Sequence, residues 1–287
     1  MARNSDRLAI VIVGAGNLAC TLAPQLRDAG YRIASVIVRD AASSLRQGKL
    51  LAKSVGAECA TVANAEIASS VVWFCVPDGQ IAKAAQLLEH ATDWQGRIAL
   101  HSSGALTAEV LKRLARRGAS VASAHPLMTF VRGSRPSLVG VPFAIEGDAA
   151  ASRAARRMVR AMKAKPWQIQ PRNKVAYHAW GTFASPLLTA LLAATEGVAR
   201  LAGVSQKAAR ERMLPMLAQT LANYAVLGAA QGFSGPLVRG DVETVRGHLR
   251  ALKTVPAARM VYIALARAAS EHLPGKSRAE MRKLLKG

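Results

Sequence analysis

Short apolar runs alternate with amphipathic helical patterns through the first 170 residues of the chain. The predicted strands cover residues 8–14, 32–38, 59–62, 71–76, 97–101, 119–124 and 142–146. Helices are predicted between them, at residues 17–29, 41–55, 78–90, 106–117 and 149–163. Strands that alternate with helices are typical of a doubly wound parallel sheet, so we expect an α/β domain over residues 1–170.

The pattern changes after Pro171, where nearly every segment has the apolar spacing of a helix. We therefore expect a second, all-helical domain over residues 171–287. Its segment Phe183–Ala194 is apolar around the whole helix circumference, which predicts a homodimer built on this domain. The segment is shorter than the roughly 20 residues of a membrane span, so no membrane association is expected.

The first apolar run ends in a glycine turn that leads directly into a helix. Gly14 permits a tight turn, Gly16 lets the backbone approach a pyrophosphate, and Ala19 keeps the helix close to the strand. The helix begins at Asn17 and Leu18, where free amides and the positive end of the helix dipole face the phosphates. Strand, turn and helix together predict a dinucleotide-binding site.

The end of the second strand bears on the choice of cofactor. Arg39 is the first residue after the apolar run, and Ser43 and Ser44 are close to it. An arginine at this place binds the 2′-phosphate of NADP, whereas a carboxylate binds the ribose hydroxyls of NAD. We therefore expect NADP, and Asp40 leaves NAD as the alternative.

Two further strand ends predict cofactor contacts, because ligands bind outside the carboxyl ends of the strands in such a sheet. Val76 and Pro77 follow the fourth strand and should line the cofactor. Ser102 and Ser103 follow the fifth strand, where the nicotinamide is expected, although Ser103 could merely start a helix. Asp78 either contacts the substrate or caps the helix that follows.

Four side chains are candidates for acid–base chemistry. His125 ends the sixth strand, next to a proline, and a histidine there can exchange the proton that accompanies hydride transfer; its alternative role is structural. Lys174, Tyr177 and His178 lie within one turn at the start of an otherwise apolar helix.

Arg239 stands in a loop with two glycines, where it can approach an anionic group closely. The alternative is that Arg239 and Asp241 brace the loop. With the first interpretation, we expect a small anionic substrate between the domains, clamped by Arg239 and in contact with His125, Tyr177 and His178.

The net charge of +22 suggests nucleic acid as a partner, but the basic residues are spread along the chain and no nucleic-acid motif accompanies them. A solvated basic surface is the simpler interpretation, and nucleic acid is not expected. The three cysteines and six histidines show no disulfide or metal-ligand spacing. This spacing leads us to expect no metal. No targeting signal is found, so we expect a cytoplasmic protein.

The motifs together resemble a known family. The matching segments are Val13–Ala19, Val76–Asp78, His101–Gly104, His125–Phe130, Tyr177–His178, Gly235–Asp241 and His248. The chain resembles the Rossmann-like oxidoreductases of unassigned function that are related to pyrroline-5-carboxylate reductase, the F420-dependent NADP reductases and the 6-phosphogluconate/β-hydroxyacid dehydrogenases. The resemblance implies an N-terminal Rossmann domain, an all-α C-terminal domain of 6-phosphogluconate dehydrogenase type that forms a dimer, and a nicotinamide cofactor.

In the neighbouring β-hydroxyacid dehydrogenases a lysine on the first helix after the Rossmann domain is the catalytic acid, and Lys174 lies on the corresponding helix. We thus expect an NADP-dependent oxidoreductase that acts on a small carboxylate, keto or imino acid by hydride transfer. The alternative is a non-catalytic NADP-binding protein that acts as a sensor or a scaffold.

Overall fold

A computed structural model describes residues 9–286, which form two compact units. The first unit extends to Thr182 and the second begins at Phe183. Leu8, with which the first strand was predicted to begin, lies outside the described residues.

The first unit is built on an eight-stranded sheet with the order β3-β2-β1-β4-β5-β6-β7-β8. Its strands are β1 Ile10–Val13, β2 Ile33–Val38, β3 Glu58–Thr61, β4 Val71–Phe74, β5 Ile98–His101, β6 Ser120–Pro126, β7 Pro142–Gly147 and β8 Lys165–Gln168. The order reverses between β1 and β4, so the doubly wound arrangement expected from the sequence is confirmed.

The sheet is not wholly parallel, which corrects the prediction. β7 pairs with β6 in the antiparallel direction, whereas the other neighbouring strands are parallel. The reason is the connection between them, residues 127–141, which contains no helix that could carry the chain back to the other end of the sheet.

Strand β8 was not predicted. Its sequence Lys-Pro-Trp-Gln has neither an apolar run nor a clean alternation, and Pro166 cannot donate to a ladder. The strand lies at the edge of the sheet, where a proline is tolerated.

Within residues 9–286, six α-helices accompany the sheet. They are α1 Asn17–Asp28, α2 Ala42–Val55, α3 Asp78–Leu87, α4 Lys112–Ala115, α5 Ala149–Ala161 and α6 Lys174–Thr182. The helix predicted at 106–117 is shorter than expected, because Ala108–Leu111 forms a 3₁₀ turn before α4. Apolar clusters cover both faces of the sheet, as a parallel sheet requires.

The first unit runs past the predicted domain boundary at residue 170 and includes α6. The physical reason is burial on this unit: Lys174 and Tyr177 of α6 are buried, and Tyr177 packs with Ala144 and Ile169 of the sheet region. The helix therefore belongs structurally to the unit that precedes it.

The second unit is helical, as predicted. It starts with a π-helical turn, Phe183–Leu187, and continues with α7 Leu188–Leu201, α8 Gln206–Gly232, α9 Pro236–Arg239, α10 Val242–Ala251, α11 Pro256–His272 and α12 Arg278–Lys286. Its small core joins α10, α11 and α12 through Val245, Leu249, Ala266, Met281 and Leu285.

The apolar helical stretch is longer than the predicted segment 183–194. Helical structure continues from Pro171 to Leu201. By length and composition alone, this stretch could cross a membrane. A single stretch of this kind is weak evidence for a membrane span. Lys174, in the first part of the stretch, is buried.

Candidate functional site

A cleft of about 530 Å³ opens at the carboxyl ends of β1, β2 and β4. It is lined by the predicted cofactor residues Gly14, Gly16, Arg39, Val76 and Pro77, among others. The carboxyl ends of parallel strands beside the reversal of strand order are where ligands bind in such sheets. The structure therefore brings the glycine turn and two of the predicted strand ends to one cleft.

The two glycines of the turn have different tasks. Gly14 has φ +107°, and a Cβ there would lie 2.7 Å from the carbonyl oxygen of Cys75, so both conformation and space require glycine. A Cβ on Gly16 would meet nothing within 4 Å, which leaves open space directly before α1. That open space suits the close approach of a phosphate to the backbone.

The start of α1 is electrostatically prepared for an anion. Its N-cap is Gly16, and within the described residues no side chain caps the helix. The first amides therefore keep unused donors, and the helix dipole adds positive potential. Asn17 and Leu18 begin this helix but lie outside the set of described residues that line the cleft; the Asn17 side chain donates to the carbonyl oxygen of Phe130 over 3.2 Å.

Arg39 is held in place at the end of β2. Its Nε donates to Oγ of Ser44 over 2.9 Å, and both residues line the cleft together with Gln47 and Lys83. Two cations and a hydroxyl in the lining of one cleft fit a phosphate group. Asp40 is exposed beside them. The donors present thus fit a dinucleotide that carries a further phosphate.

The predicted nicotinamide contacts, Ser102 and Ser103, are already engaged. Ser102 accepts a hydrogen bond from Nε1 of Trp73 over 2.8 Å. The buried Ser103 donates from Oγ to Asp78 over 2.6 Å and accepts from the amides of two following residues. Both serines lie outside the described lining of the cleft. The next helical turn begins at Ala108, so Ser103 does not start a helix either. Their role as cofactor contacts stays a prediction.

Three of the predicted acid–base residues meet at the end of β6. Nδ1 of His125 lies 2.8 Å from the hydroxyl of Tyr177, and the two rings are in edge-to-face contact. The rings of His125 and His178 are 6.2 Å apart between centroids. The spacing of Tyr177 and His178 on α6 brings both to the same strand end. We call His125, Tyr177 and His178 the histidine–tyrosine cluster.

The cluster closes over a glycine. A Cβ on Gly104 would lie 2.7 Å from Cδ2 of His178 and 2.9 Å from Nε2 of His125. Real Cβ atoms do not come this close, so the two imidazole rings use the space that a side chain at position 104 would occupy.

Burial and charge shift the pKa values of two members of the cluster, His125 and Tyr177. The pKa of His125 is lowered to about 3 by burial first, then by the positive charge of Lys174 and by His178. Burial raises the pKa of Tyr177 above its ordinary value. Near neutral pH His125 is thus an uncharged imidazole.

Lys174 is also at this place, but fully buried. Its Nζ donates to the carbonyl oxygen of Ser103 over 2.9 Å and to Oγ of Ser123, and it lies 3.7 Å from Oε1 of Glu146. Burial lowers the pKa of Lys174 to about 8, against the opposing effect of the Glu146 carboxylate. Lys174 therefore sits within a polar network beneath the cluster.

Three members of this polar network were not among the predicted site residues. Glu146 is buried on β7 and accepts from the amide of Ala108 over 2.8 Å; Ser123 is buried on β6. His101 is buried too, and it accepts from the amide of Ser103 over 3.1 Å. An acid inside the apolar run Pro142–Gly147 was a signal that could have found Glu146, since a buried carboxylate needs partners.

Arg239 belongs to the second unit. Its Nε donates to Oδ2 of Asp241 over 2.8 Å, so the structure shows the loop brace that was the alternative to a substrate clamp. In the same unit His248 lies 3.0 Å from the hydroxyl of Tyr262. The role of Arg239 toward a substrate stays a prediction.

Tyr177 also lines an aromatic cleft of about 470 Å³. Trp167 from β8 and Trp180 from α6 both meet Tyr177 edge to face, with centroid distances of 5.7 and 6.2 Å.

Within residues 9–286, no group of three or more His, Cys, Asp or Glu side chains could hold a metal ion.

Comparisons with known proteins follow the same division of the chain. Residues 2–126 match the Rossmann-like domain, and residues 141–269 match a domain of unknown function, DUF2520. No curated protein matches the sequence.

Several solved structures have the same fold. A Bacteroides fragilis protein described as an NADP oxidoreductase is 22% identical with a TM-score of 0.79, over 93% of this chain and 99% of that one. A reductive aminase from Aspergillus terreus, solved with NADPH and ethyl-5-oxohexanoate, is 17% identical with a TM-score of 0.64, over 96% and 99%. A pyrroline-5-carboxylate reductase from Coxiella burnetii is 14% identical with a TM-score of 0.58, over 97% and 99%.

At these identities the likeness to solved structures concerns the fold. It agrees with the resemblance seen in the motifs, which included pyrroline-5-carboxylate reductase. The chain therefore combines a Rossmann-like domain with a DUF2520 domain, in the fold that these reductases share.

Proposed function

We propose that the protein is an NADP-dependent oxidoreductase that reduces or oxidises a small carboxylate, keto or imino acid by hydride transfer. The observation that carries this proposal is the presence, in one unit, of the glycine-turn cleft with Arg39 and of the histidine–tyrosine cluster. The reductases of the same fold, one of them solved with NADPH, support it.

Gly14, Gly16 and the first amides of α1 hold the pyrophosphate in this proposal, and Arg39 with Ser44 holds the 2′-phosphate. The bound nicotinamide supplies or takes up the hydride. The chain itself has to bind the substrate and to manage the proton that accompanies the hydride.

His125 is the proposed proton carrier. Its Nδ1 lies 2.8 Å from the hydroxyl of Tyr177, and its Nε2 borders the space over Gly104. A neutral ring that accepts the tyrosine proton at Nδ1 carries its own proton on Nε2. His178 borders the same space. An imidazole in this tautomer can donate a hydrogen bond from Nε2 to a carbonyl oxygen or an imine nitrogen.

The electrostatics favour an anionic substrate. The positive charge of Lys174 is one cause of the low pKa of His125. A substrate carboxylate nearby would offset that charge, so the pKa of His125 would rise when the substrate binds. Binding of an anion would then prepare His125 to take up a proton. Arg239 is a further proposed contact for the carboxylate.

Assays of the full chain test the proposal. NADPH oxidation is measured with a panel of keto and imino acids, for the unaltered protein and for His125→Asn. We expect turnover that falls by about two orders of magnitude in His125→Asn, with NADPH affinity unchanged. Tight NADPH binding without turnover on any acid, in either direction, would favour the sensor or scaffold instead.

A homodimer is the proposed assembly, and the cytoplasm the proposed location. The second unit exposes large apolar side chains on α7 and α8, among them Leu201, Leu214, Met216 and Val226. The three free cysteines agree with a reducing compartment.

A further inference from the structure

The ammonium group of Lys174 joins three parts of the sheet. Its three neighbours are the carbonyl oxygen of Ser103 after β5, Oγ of Ser123 on β6 and the carboxylate of Glu146 on β7. An ammonium has three hydrogens to donate; two go to Ser103 and Ser123, and the Glu146 carboxylate at 3.7 Å is an ion-pair partner. Because Lys174 is fully buried, its charge acts inside the protein rather than on solvent.

The same lysine begins α6. Tyr177 and His178 follow within one turn, so a tether at Lys174 fixes the rotation and depth of the helix where these two side chains project. Ser103 directly precedes Gly104, over which the rings of His125 and His178 close. The tether thus connects both sides of the histidine–tyrosine cluster: the loop below it and the helix beside it.

We propose that Lys174 is a positioning residue that ties the start of α6 to the ends of β5, β6 and β7, and so sets His125 against Tyr177 and His178. The proposal rests on the proposed function for its meaning in catalysis. It assigns Lys174 no proton transfer to the substrate, because its ammonium is fully buried among acceptors of the protein itself.

The charge of Lys174 has a second effect on the same cluster. The titratable groups that face His125 are Lys174, Tyr177 and His178 from α6, and His101 from β5. Lys174 lowers the pKa of both His125 and His101. Removing the lysine should therefore loosen the cluster and also let His125 take up a proton at higher pH.

The test uses full-length protein with ¹⁵N-labelled histidine, in which His125 is assigned by the signal lost in His125→Asn. The double variant Lys174→Met/Glu146→Gln replaces both members of the ion pair, because removing the lysine alone would leave a buried, unpaired carboxylate. Glutamine can still accept from the amide of Ala108. We expect the pKa of His125 to rise by at least about one pH unit, and its Nδ1 resonance to shift as the bond to Tyr177 weakens.

Lys165→Met, an exposed lysine on β8, is the matched control and should leave both readouts unchanged. Should the double variant not fold, Ser123→Ala decides, since it removes one acceptor of the ammonium and leaves the charge in place. We expect a smaller shift of the Nδ1 resonance of His125 there. An unchanged resonance in a folded variant overturns the proposal.

These readouts need neither cofactor nor substrate, so they are independent of the proposed function. If the protein proves to be an enzyme, kcat of the double variant should be lower than that of the unaltered protein by about tenfold or more. Its NADPH affinity should stay within about twofold of the unaltered protein's. A shift in the histidine signals without any enzymatic activity would support the tether and reject the oxidoreductase. Full activity in the double variant would support the oxidoreductase and reject the positioning role of Lys174.

Discussion

At the scale of single residues, the side chains that face the two candidate sites are oriented by neighbours before a ligand arrives. Ser44 holds Arg39, and Tyr177 holds His125. Such orientation lowers the entropy cost of binding and of reaching the reactive geometry. The two contacts are therefore suitable targets for substitution.

Replacing Arg39 by alanine should weaken NADPH binding by about tenfold and leave NADH binding nearly unchanged, because only NADPH carries the 2′-phosphate. Fluorescence titration of both nucleotides measures this. Asp40→Ala is the matched control, and it should not reduce NADPH affinity. Equal affinity for the two nucleotides in the unaltered protein would contradict the assignment of Arg39.

Replacing Tyr177 by phenylalanine removes the hydrogen-bond partner of Nδ1 on His125 and keeps the ring contacts with Trp167 and Trp180. We expect kcat to fall by about 10- to 100-fold, with little change in thermal stability. Tyr224→Phe, on the exposed face of α8, is the control. Steady-state kinetics that remain unchanged in Tyr177→Phe would remove Tyr177 from the site.

At the scale of elements, the glycine turn could be predicted because every part of it is local: strand, turn and helix adjoin in the sequence. The cluster at β6 was predicted in its members, since His125 lies near the end of a strand and Tyr177 lies in the first turn of a helix. The polar network that supports the cluster was not predicted, because the pairing of Ser123 with Glu146 across β6 and β7 depends on an antiparallel register that no local pattern shows. Strand β8 escaped for a related reason, since it is defined by its neighbour β7.

Helix α8 carries the next prediction. Within the described part of the chain its 27 residues bury only Ala209, while Leu221 and Val226 are 60% and 82% exposed. Isolated protein with so much apolar surface should associate. We expect a dimer in sedimentation at micromolar concentration, and a monomer when Leu221 and Val226 are both changed to glutamate. Gln231→Glu adds charge on the same helix as a control; a monomeric unaltered protein would refute the proposed assembly.

At the scale of the whole molecule, the buried histidines make stability depend on pH. The pKa values of His101 and His125 are both lowered to about 3, mainly by burial. Below about pH 6.5 the unfolded chain protonates these residues and the folded chain does not, so stability falls as the pH falls from about 6.5 toward 3. Each histidine contributes up to about 1.4 kcal/mol per pH unit in this window.

Thermal unfolding followed between pH 4.5 and 8 tests this dependence. We expect Tm to drop steadily below pH 6.5, and His101→Gln to flatten the drop, since glutamine can accept the bond from the Ser103 amide and does not titrate. His272→Gln, an exposed histidine, should leave the profile unchanged. A flat Tm profile in the unaltered protein would show that the two histidines are not kept neutral by the fold.

The missing side chain at position 104 has a consequence for the evolution of related sequences. Two imidazole rings occupy the volume that a Cβ would need there, so positions 104, 125 and 178 share one limited space. A lineage that gained even an alanine at 104 would have to give up a ring at 125 or 178, or move it. We therefore expect the three positions to change together among relatives, so that pairs of histidines here accompany glycine and single histidines accompany larger residues.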